Sequence, residues 1–253
     1  MSDEWLAPPC TLTLPFGEVH VWRTELDVNE LQESITRTVS PDEIVRASRF
    51  RFQRDQVRFL ACRGVLRSIL ARYLECGQAD ISFSYESSGK PKVAAPARGQ
   101  SLEFNLSHSG GYAVYAVAFK KRVGIDLEQF RADISYEQIA KQFFSPEERD
   151  HIRSLPESRR LAAFFFIWTR KEAYVKATGE GLSVPLDSFS VAAPNIYPSF
   201  TPGKVRDRYS GGHWSLRDLE AFPGCAAALV VEESLPLIRC WQWTNKSNES
   251  RDI

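Results

Sequence analysis

The pattern of apolar positions along the chain predicts two long helices. From Phe52 to Tyr73 the apolar side chains recur at helical spacing and fall within one narrow arc at 100° per residue. The segment from Ser158 to Thr178 is also predicted to be helical, closed by Gly179, a residue type that readily adopts the left-handed conformation of a helix end. Gly77 is expected to end the first helix for the same reason.

Shorter signals predict helix starts and strands around these helices. Ser40-Pro41 and Ser145-Pro146 each precede a Glu at the third helical position, which is the pattern of a capping box. Because strands and helices follow one another without regular alternation, we expect an α+β fold. The predicted strands are Val19–Trp22, Leu102–Leu106, Tyr112–Phe119, Val123–Leu127, Leu186–Val191, His213–Leu219 and Cys225–Val231.

Composition narrows the class of protein. The chain has 253 residues, enough for one large domain or two small ones, and 43% of them are hydrophobic. The formal net charge is zero, so no overall field draws the protein to nucleic acid or to a membrane. The five cysteines form no CxxC pair, and neither a signal peptide nor a bilayer-spanning run is found. We therefore expect a cytoplasmic protein with free thiols.

Three carboxylates are candidates for chemistry. Asp126 and Glu128 lie two apart on a predicted strand, so both point to one face, where hard oxygen ligands suit Mg²⁺. An acid pair of this kind is also typical of a solvated face. Glu172 lies between Trp168 and Lys176 on one stripe of the second helix. That stripe is compatible with a surface salt bridge, but the phenylalanines upstream favour a buried helix, where charges need partners.

The first long helix is rich in arginine. Eight arginines and one acid lie between Arg46 and Arg72, and this pattern fits either a solvated amphipathic face or a site for phosphate. Lys90, in the turn-rich loop Ser87–Pro91, and His108, in a Ser-His-Ser-Gly turn, are possible additions to a phosphate site.

Together these segments resemble the Sfp-type 4′-phosphopantetheinyl transferases, over roughly residues 46 to 191. The helix carries that family's Trp-x-x-Lys-Glu-Ala-x-x-Lys pattern in full, at Trp168, Lys171, Glu172, Ala173 and Lys176. The other matching segments are Val123–Glu128, Gly181-Leu182-Ser183, Pro185-Leu186, Gly89-Lys90-Pro91 and Phe104–Ser109. The resemblance implies two similar α+β halves with the active site between them, and a monomer.

The resemblance also implies roles for individual residues. Asp126, Glu128 and Glu172 would bind Mg²⁺, and Lys176 would lie near the transferred phosphate. Coenzyme A, the co-substrate, would contact a set spread over the chain, namely Arg46, Arg58, Lys90, Pro91, Ser107, His108 and Lys176. We expect residues 1–122 to form the coenzyme A-binding half, residues 123–243 the catalytic half, and residues 244–253 a polar tail.

The implied reaction moves the 4′-phosphopantetheine of coenzyme A to a serine of an apo acyl or peptidyl carrier protein, releasing adenosine 3′,5′-bisphosphate. Glu172 is the first candidate for the base, with Asp126 and Lys176 as the other catalytic groups. The carrier is expected to meet basic side chains near the acid pair, at Lys120, Lys121, Arg122, Arg131 and Lys141. The alternatives are a metal-dependent phosphohydrolase and a nucleic-acid-binding module on the arginine helix.

Overall fold

In the part of the chain that the structure describes, the two larger β-sheets are each covered by one long helix. The structure, a computed structural model, describes residues 3–27, 38–86, 89–96, 101–181, 184–191, 203–204, 213–234 and 236–244. The first sheet has the strand order β1-β11-β2-β6-β5 and the second β7-β10-β9-β8, while β3 and β4 form a separate hairpin. The strands are β1 (Trp5–Leu6), β2 (Glu18–Glu25), β3 (Ser82–Tyr85), β4 (Pro91–Ala95), β5 (Leu102–Ser109), β6 (Tyr112–Phe119), β7 (Val123–Gln129), β8 (Gly203–Lys204), β9 (Trp214–Asp218), β10 (Cys225–Glu232) and β11 (Leu237–Gln242).

Five α-helices lie in the described ranges. They are α1 (Pro41–Ala47), α2 (Gln53–Leu74), α3 (Tyr136–Phe143), α4 (Pro146–Ser154) and α5 (Glu157–Thr178). Buried side chains of α2 form one apolar cluster with the first sheet, and those of α5 form another with the second sheet. A third cluster joins β2 and β6 to β7 and β10, so the two sheets share a core. None of the described helices is long and apolar enough to cross a membrane.

The two halves repeat one arrangement, as expected. In the first, β2 is followed by α1, α2, β5 and β6, with the strand order β2-β6-β5; in the second, β7 is followed by α4, α5, β9 and β10, with the order β7-β10-β9. Both long helices have 22 residues. The division expected between residues 122 and 123 stays a prediction, and β11 returns to pair with β2 in the first sheet.

A buried ion pair secures each short helix to the long helix of its half. The predicted helix starts are confirmed: the backbone N–H groups of Ser40 and Ser145 each donate to the Glu three residues on, at 2.9 Å. Glu43 then accepts from Arg67 Nε at 2.8 Å, and Glu148 lies 2.8 Å from Lys171 Nζ. The basic residues Arg67 and Lys171 occupy equivalent positions, each seven residues before the end of its helix, α2 or α5.

Several local expectations need correction. The first long helix ends at Leu74 rather than Gly77, because Glu75 itself takes the left-handed cap conformation at φ 47°. The predicted strand Leu186–Val191 is instead a short 3-10 helix, Leu186–Ser188, since Lys171 Nζ binds the carbonyls of Leu186 and Phe189 and turns the backbone inward. Three predicted features lie outside the described residues, namely Ser87-Ser88 of the loop, Leu182-Ser183 of the motif, and the tail beyond Thr244.

The ion pair between Glu148 and Lys171 generates a stability prediction. Both side chains are fully buried, so Lys171→Met leaves an uncompensated carboxylate in the core. We expect the free energy of unfolding to fall by about 3–5 kcal/mol in urea titrations. The control is Arg153→Ala, which removes an exposed partner of Asp150 and should change it by less than about 1 kcal/mol. Equal losses in the two variants would contradict a structural role for the buried pair.

Candidate active site

A cleft of about 500 Å³ lies between the two halves. The first half contributes Lys90, Pro91, Ser107 and His108 from β4 and β5 and their flanks, and Arg46 from α1. The second half contributes Val175 and Gly179 as well as two of the expected catalytic side chains, Glu172 and Lys176. The cleft therefore collects residues that are far apart in the sequence.

A glycine allows the strand that carries the acid pair to pack closely against α5. A Cβ on Gly124 would lie 2.1 Å from the carbonyl oxygen of Ala173 and 2.4 Å from the backbone nitrogen of Ala177. The backbone of β7 can therefore pack directly against α5, which a side chain at this position would prevent. Ile125 and Leu127 point into the core shared by the sheets, so Asp126 and Glu128 point toward α5.

Asp126 is buried, and one of its two carboxylate oxygens accepts hydrogen bonds from both halves. Its Oδ1 accepts from Ser107 Oγ at 2.8 Å and from Lys176 Nζ at 2.7 Å. Its Oδ2 is buried and accepts no hydrogen bond from any residue that the structure describes. A buried carboxylate oxygen without a donor is unfavourable, and a cation beside Oδ2 would satisfy it.

Glu128 and Glu172 lie in the same electrostatic environment. Burial raises the pKa of Glu128, Asp126 raises it further, and a hydrogen bond from Ser109 Oγ at 2.7 Å opposes the change. Burial also raises the pKa of Glu172, with additional repulsion from Asp126 and Glu128, while Lys176 opposes it. Three carboxylates that repel one another in a partly buried site suit a divalent cation.

Lys176 supplies the positive charge at this site. Its Nζ contacts Asp126 Oδ1 and Ser107 Oγ, the latter at 3.1 Å. Within the described ranges, no three side chains of His, Cys, Asp or Glu lie close enough together to hold a metal ion. The hard oxygen donors and the buried Oδ2 of Asp126 fit a cation in chemistry.

The expected phosphate contacts have different surroundings. Lys90 Nζ donates to the carbonyls of Val123 at 3.1 Å and Lys176 at 2.9 Å, and so ties the two halves together. Arg58 forms a two-point ion pair with Asp27 and does not line the cleft. The pKa of His108 is lowered mainly by burial, then by the charge of Lys176, and to a smaller extent by the charge of Arg58. Arg46 is exposed at the cleft beside the rings of Phe59 and Tyr85.

The arginine helix does not present one continuous basic face. Arg63 and Arg67 are buried and both bind Glu43, so they serve the core of the first half. Sequence reasoning assigned no role to Asn105 or to Ser109. Asn105 Oδ1 accepts from the backbone N–H of Ile125 at 2.9 Å and so holds β7 against β5.

Comparison with known proteins identifies the family of the chain. A family model described as 4′-phosphopantetheinyl transferase superfamily matches residues 122–230, and one described as 4′-phosphopantetheinyl transferase, N-terminal, matches residues 21–120. The chain belongs to the 4′-phosphopantetheinyl transferase family and is a transferase of that class.

The relatives span most of the chain. The 4′-phosphopantetheinyl transferase HetI of Nostoc sp. is 42% identical over 232 residues, covering 91% of this chain and 94% of that protein. The 4′-phosphopantetheinyl transferase Sfp of Bacillus subtilis is 35% identical over 162 residues, covering 64% of this chain and 70% of that protein. A holo-(acyl-carrier-protein) synthase structure from Bacillus anthracis, in complex with CoA, is 24% identical and covers 44% of this chain and 95% of that one at a TM-score of 0.37. That structural likeness is slight and the assignment does not depend on it.

The raised pKa of Glu172 generates a pH prediction. Above that pKa the folded protein holds an unfavourable ionised carboxylate, and the penalty disappears as the pH falls and the group is protonated. Glu172→Gln should therefore be more stable than the wild type at about pH 7.5, and the difference should shrink toward pH 4.5, the ordinary pKa of the group. Urea unfolding at both pH values measures it. Glu147→Gln, at an exposed position on α4, is the control, and a pH-independent difference for Glu172→Gln would contradict the burial argument.

Proposed function

We propose that the protein transfers the 4′-phosphopantetheine of coenzyme A to a serine of an apo acyl or peptidyl carrier protein. The observation that carries this proposal is a cleft built from both halves and lined by Glu172 and Lys176. Lys176 binds Asp126, and the charges of Asp126 and Glu128 act on Glu172. Membership of the transferase family supports it, and so does the match of that family to both halves. The cleft volume of about 500 Å³ is within the range of small-molecule sites.

The proposed metal ligands are Asp126, Glu128 and Glu172, with Mg²⁺ as the ion. When bound, Mg²⁺ would neutralise the pyrophosphate charge of coenzyme A. The orphan Oδ2 of Asp126 and the raised pKa values of Glu128 and Glu172 support this assignment. The two raised pKa values describe carboxylates that are disfavoured in the ionised form, first by burial and then by the neighbouring acids.

In the proposed reaction Glu172 accepts the proton of the carrier serine, directly or through one water. The serine oxygen forms a bond to the pantetheine-side phosphorus, and the bond from that phosphorus to adenosine 3′,5′-bisphosphate breaks. A carboxylate within hydrogen-bond reach of the serine hydroxyl can accept its proton. Lys176 turns from Asp126 to the phosphate and stabilises the charge on the leaving group.

The direct test mixes the protein with coenzyme A, Mg²⁺ and an apo carrier protein, and measures the carrier by intact mass spectrometry. We expect the mass to rise by one phosphopantetheine, with loss of transfer in Asp126→Ala and Glu172→Gln and reversible loss in EDTA. Coenzyme A consumption without carrier modification would indicate a phosphohydrolase instead. Transfer by Glu172→Gln at nearly the wild-type rate would remove Glu172 from both proposed roles.

We propose that His108, which lines the cleft, binds the 3′-phosphate of coenzyme A together with Arg58, which would have to exchange Asp27 for the phosphate. Each charge-assisted contact is worth roughly 1.5–3 kcal/mol, so His108→Ala or Arg58→Ala should weaken coenzyme A binding about ten- to hundred-fold. Binding of 3′-dephospho-coenzyme A should change far less. Calorimetry with both ligands measures the difference. Arg54→Ala is the control, because Arg54 lies one turn earlier on α2 and is largely exposed. Equal weakening for both ligands would place the 3′-phosphate elsewhere.

The proposed carrier surface is the basic face of α3 and α4. Lys141 is exposed beside a groove of about 350 Å³ that Arg149, Arg153 and Arg160 also line. The apolar residues of this region, including Ile139 and Phe143, pack against the core. In the Lys120–Arg122 turn, by contrast, Lys121 and Arg122 already pair with Glu233 and Glu232. Among the residues that the structure describes, Lys141 forms no ion pair, so an acidic carrier helix would meet a more available positive charge there.

The expected effect of Lys141→Glu is a higher KM for the carrier at low salt, with the KM for coenzyme A nearly unchanged. The difference should shrink as salt rises, because screening removes electrostatic steering. Lys120→Glu is the comparator and should have little effect. An increase in the carrier KM in Lys120→Glu alone would move the docking surface to the turn. Arg131 is less suited to this test, since its charge also lowers the pKa of Glu128.

A further inference from the structure

Ser109 is the last residue of β5 and lies beside the end of β7. Its Oγ donates to Glu128 Oε2 at 2.7 Å and accepts from the backbone N–H of Gln129 at 3.1 Å. A serine hydroxyl has a single proton to donate. Because the backbone N–H of Gln129 occupies an acceptor position on Oγ, the proton is directed at the carboxylate.

The turn that follows Ser109 is pressed against the same end of β7. Gly110 has a φ of 59°, and a Cβ there would lie 2.2 Å from Gln129 Oε1. The left-handed backbone favours a glycine at this position, and the contact brings the turn against the end of the Gln129 side chain. The backbone N–H of Gln129 also donates to Ser109 Oγ, so Ser109 is held at the end of β7.

The two serines that bind the acid pair differ in one respect. Ser107 Oγ is shared between Asp126 and Lys176, so its hydrogen bond changes when Lys176 moves. Ser109 Oγ makes no contact with Lys176 among the hydrogen bonds of the described residues, and its bond to Glu128 can persist through the reaction. It leaves the second carboxylate oxygen, Oε1, for another partner.

We propose that Ser109 is a positioning residue that orients Glu128 toward the divalent cation. The inference rests on the proposed function, because it assumes that Glu128 is a metal ligand. Hydrogen bonds from outside a metal site commonly set the orientation of its carboxylates, and their loss lowers metal affinity. Ser109 would act through Glu128 without touching coenzyme A or the carrier.

The test is a titration of the full-length protein with Mn²⁺ in the presence of coenzyme A and without carrier, in which electron paramagnetic resonance measures free Mn²⁺. We expect Ser109→Ala to weaken Mn²⁺ binding about tenfold. Ser109→Thr retains the hydroxyl and should bind Mn²⁺ as tightly as the wild type does. Ser109→Val has nearly the same shape as Ser109→Thr but lacks the hydroxyl, and its Mn²⁺ binding should be weakened. Ser215→Ala is the matched control, because it also removes the hydroxyl of a serine on a strand. Ser215 lies on β9, and its Oγ donates to the carbonyl of Glu233 at 2.7 Å.

The outcomes separate this inference from the proposed function. If the wild type binds Mn²⁺ and Ser109→Val binds it as tightly as Ser109→Thr, the positioning role is overturned while the metal site stands. If the wild type binds no Mn²⁺ with coenzyme A present, the proposed metal site fails and the role of Ser109 fails with it. Weakening in Ser215→Ala equal to that in Ser109→Ala would also overturn the proposal, because it would show a general loss of packing. Thermal unfolding of each variant checks that the fold is retained.

Discussion

The active site depends on how two edge strands meet. β5 ends the first sheet and β7 ends the second, and within the described ranges no backbone ladder joins them. Side chains of β5 make the connection, through Asn105 to the backbone of β7 and through Ser107 and Ser109 to the acids. The acids of one half are thereby held by the hydroxyl groups of the other. A site built in this way requires both halves to be folded and correctly docked.

The same junction concentrates negative charge, which disfavours the folded state unless positive charge balances it. Lys176 supplies part of that balance through Asp126, and Lys90 reinforces the junction by binding the carbonyls of Val123 and Lys176. Burial and the neighbouring acids raise the pKa of both Glu128 and Glu172, so their ionised forms remain unfavourable in the folded protein. This is the physical reason for the proposal that a divalent cation binds here.

Much of the site could be predicted from the sequence, because its motifs are local. The spacing of Asp126 and Glu128 and the stripe of Glu172 and Lys176 each depend on one element. The repeat of the two halves could not be recognised, because equivalent positions carry different chemistry. Arg72 and Lys176 each lie two residues before the end of their helix, yet the Arg72 guanidinium lies 5.5 Å from the centre of the Trp22 ring, whereas Lys176 binds Asp126.

Long-range contacts explain what sequence reasoning missed. The parallel pairing of β11 with β2 joins positions more than two hundred residues apart, and no local pattern signals it. The 3-10 turn at Leu186–Ser188 exists because the buried Lys171 needs carbonyl partners as well as Glu148. Ser109 belongs to a recognised motif, but its role depends on the neighbouring half and emerges only when β5 and β7 are placed together.

The most direct measurement is a crystal structure with coenzyme A and Mn²⁺, recorded with anomalous scattering at the manganese edge. We expect an anomalous peak beside the carboxylates of Asp126, Glu128 and Glu172, with Lys176 Nζ moved from Asp126 to the phosphate. A metal bound away from this triad, or coenzyme A bound while Lys176 remains on Asp126, would contradict it.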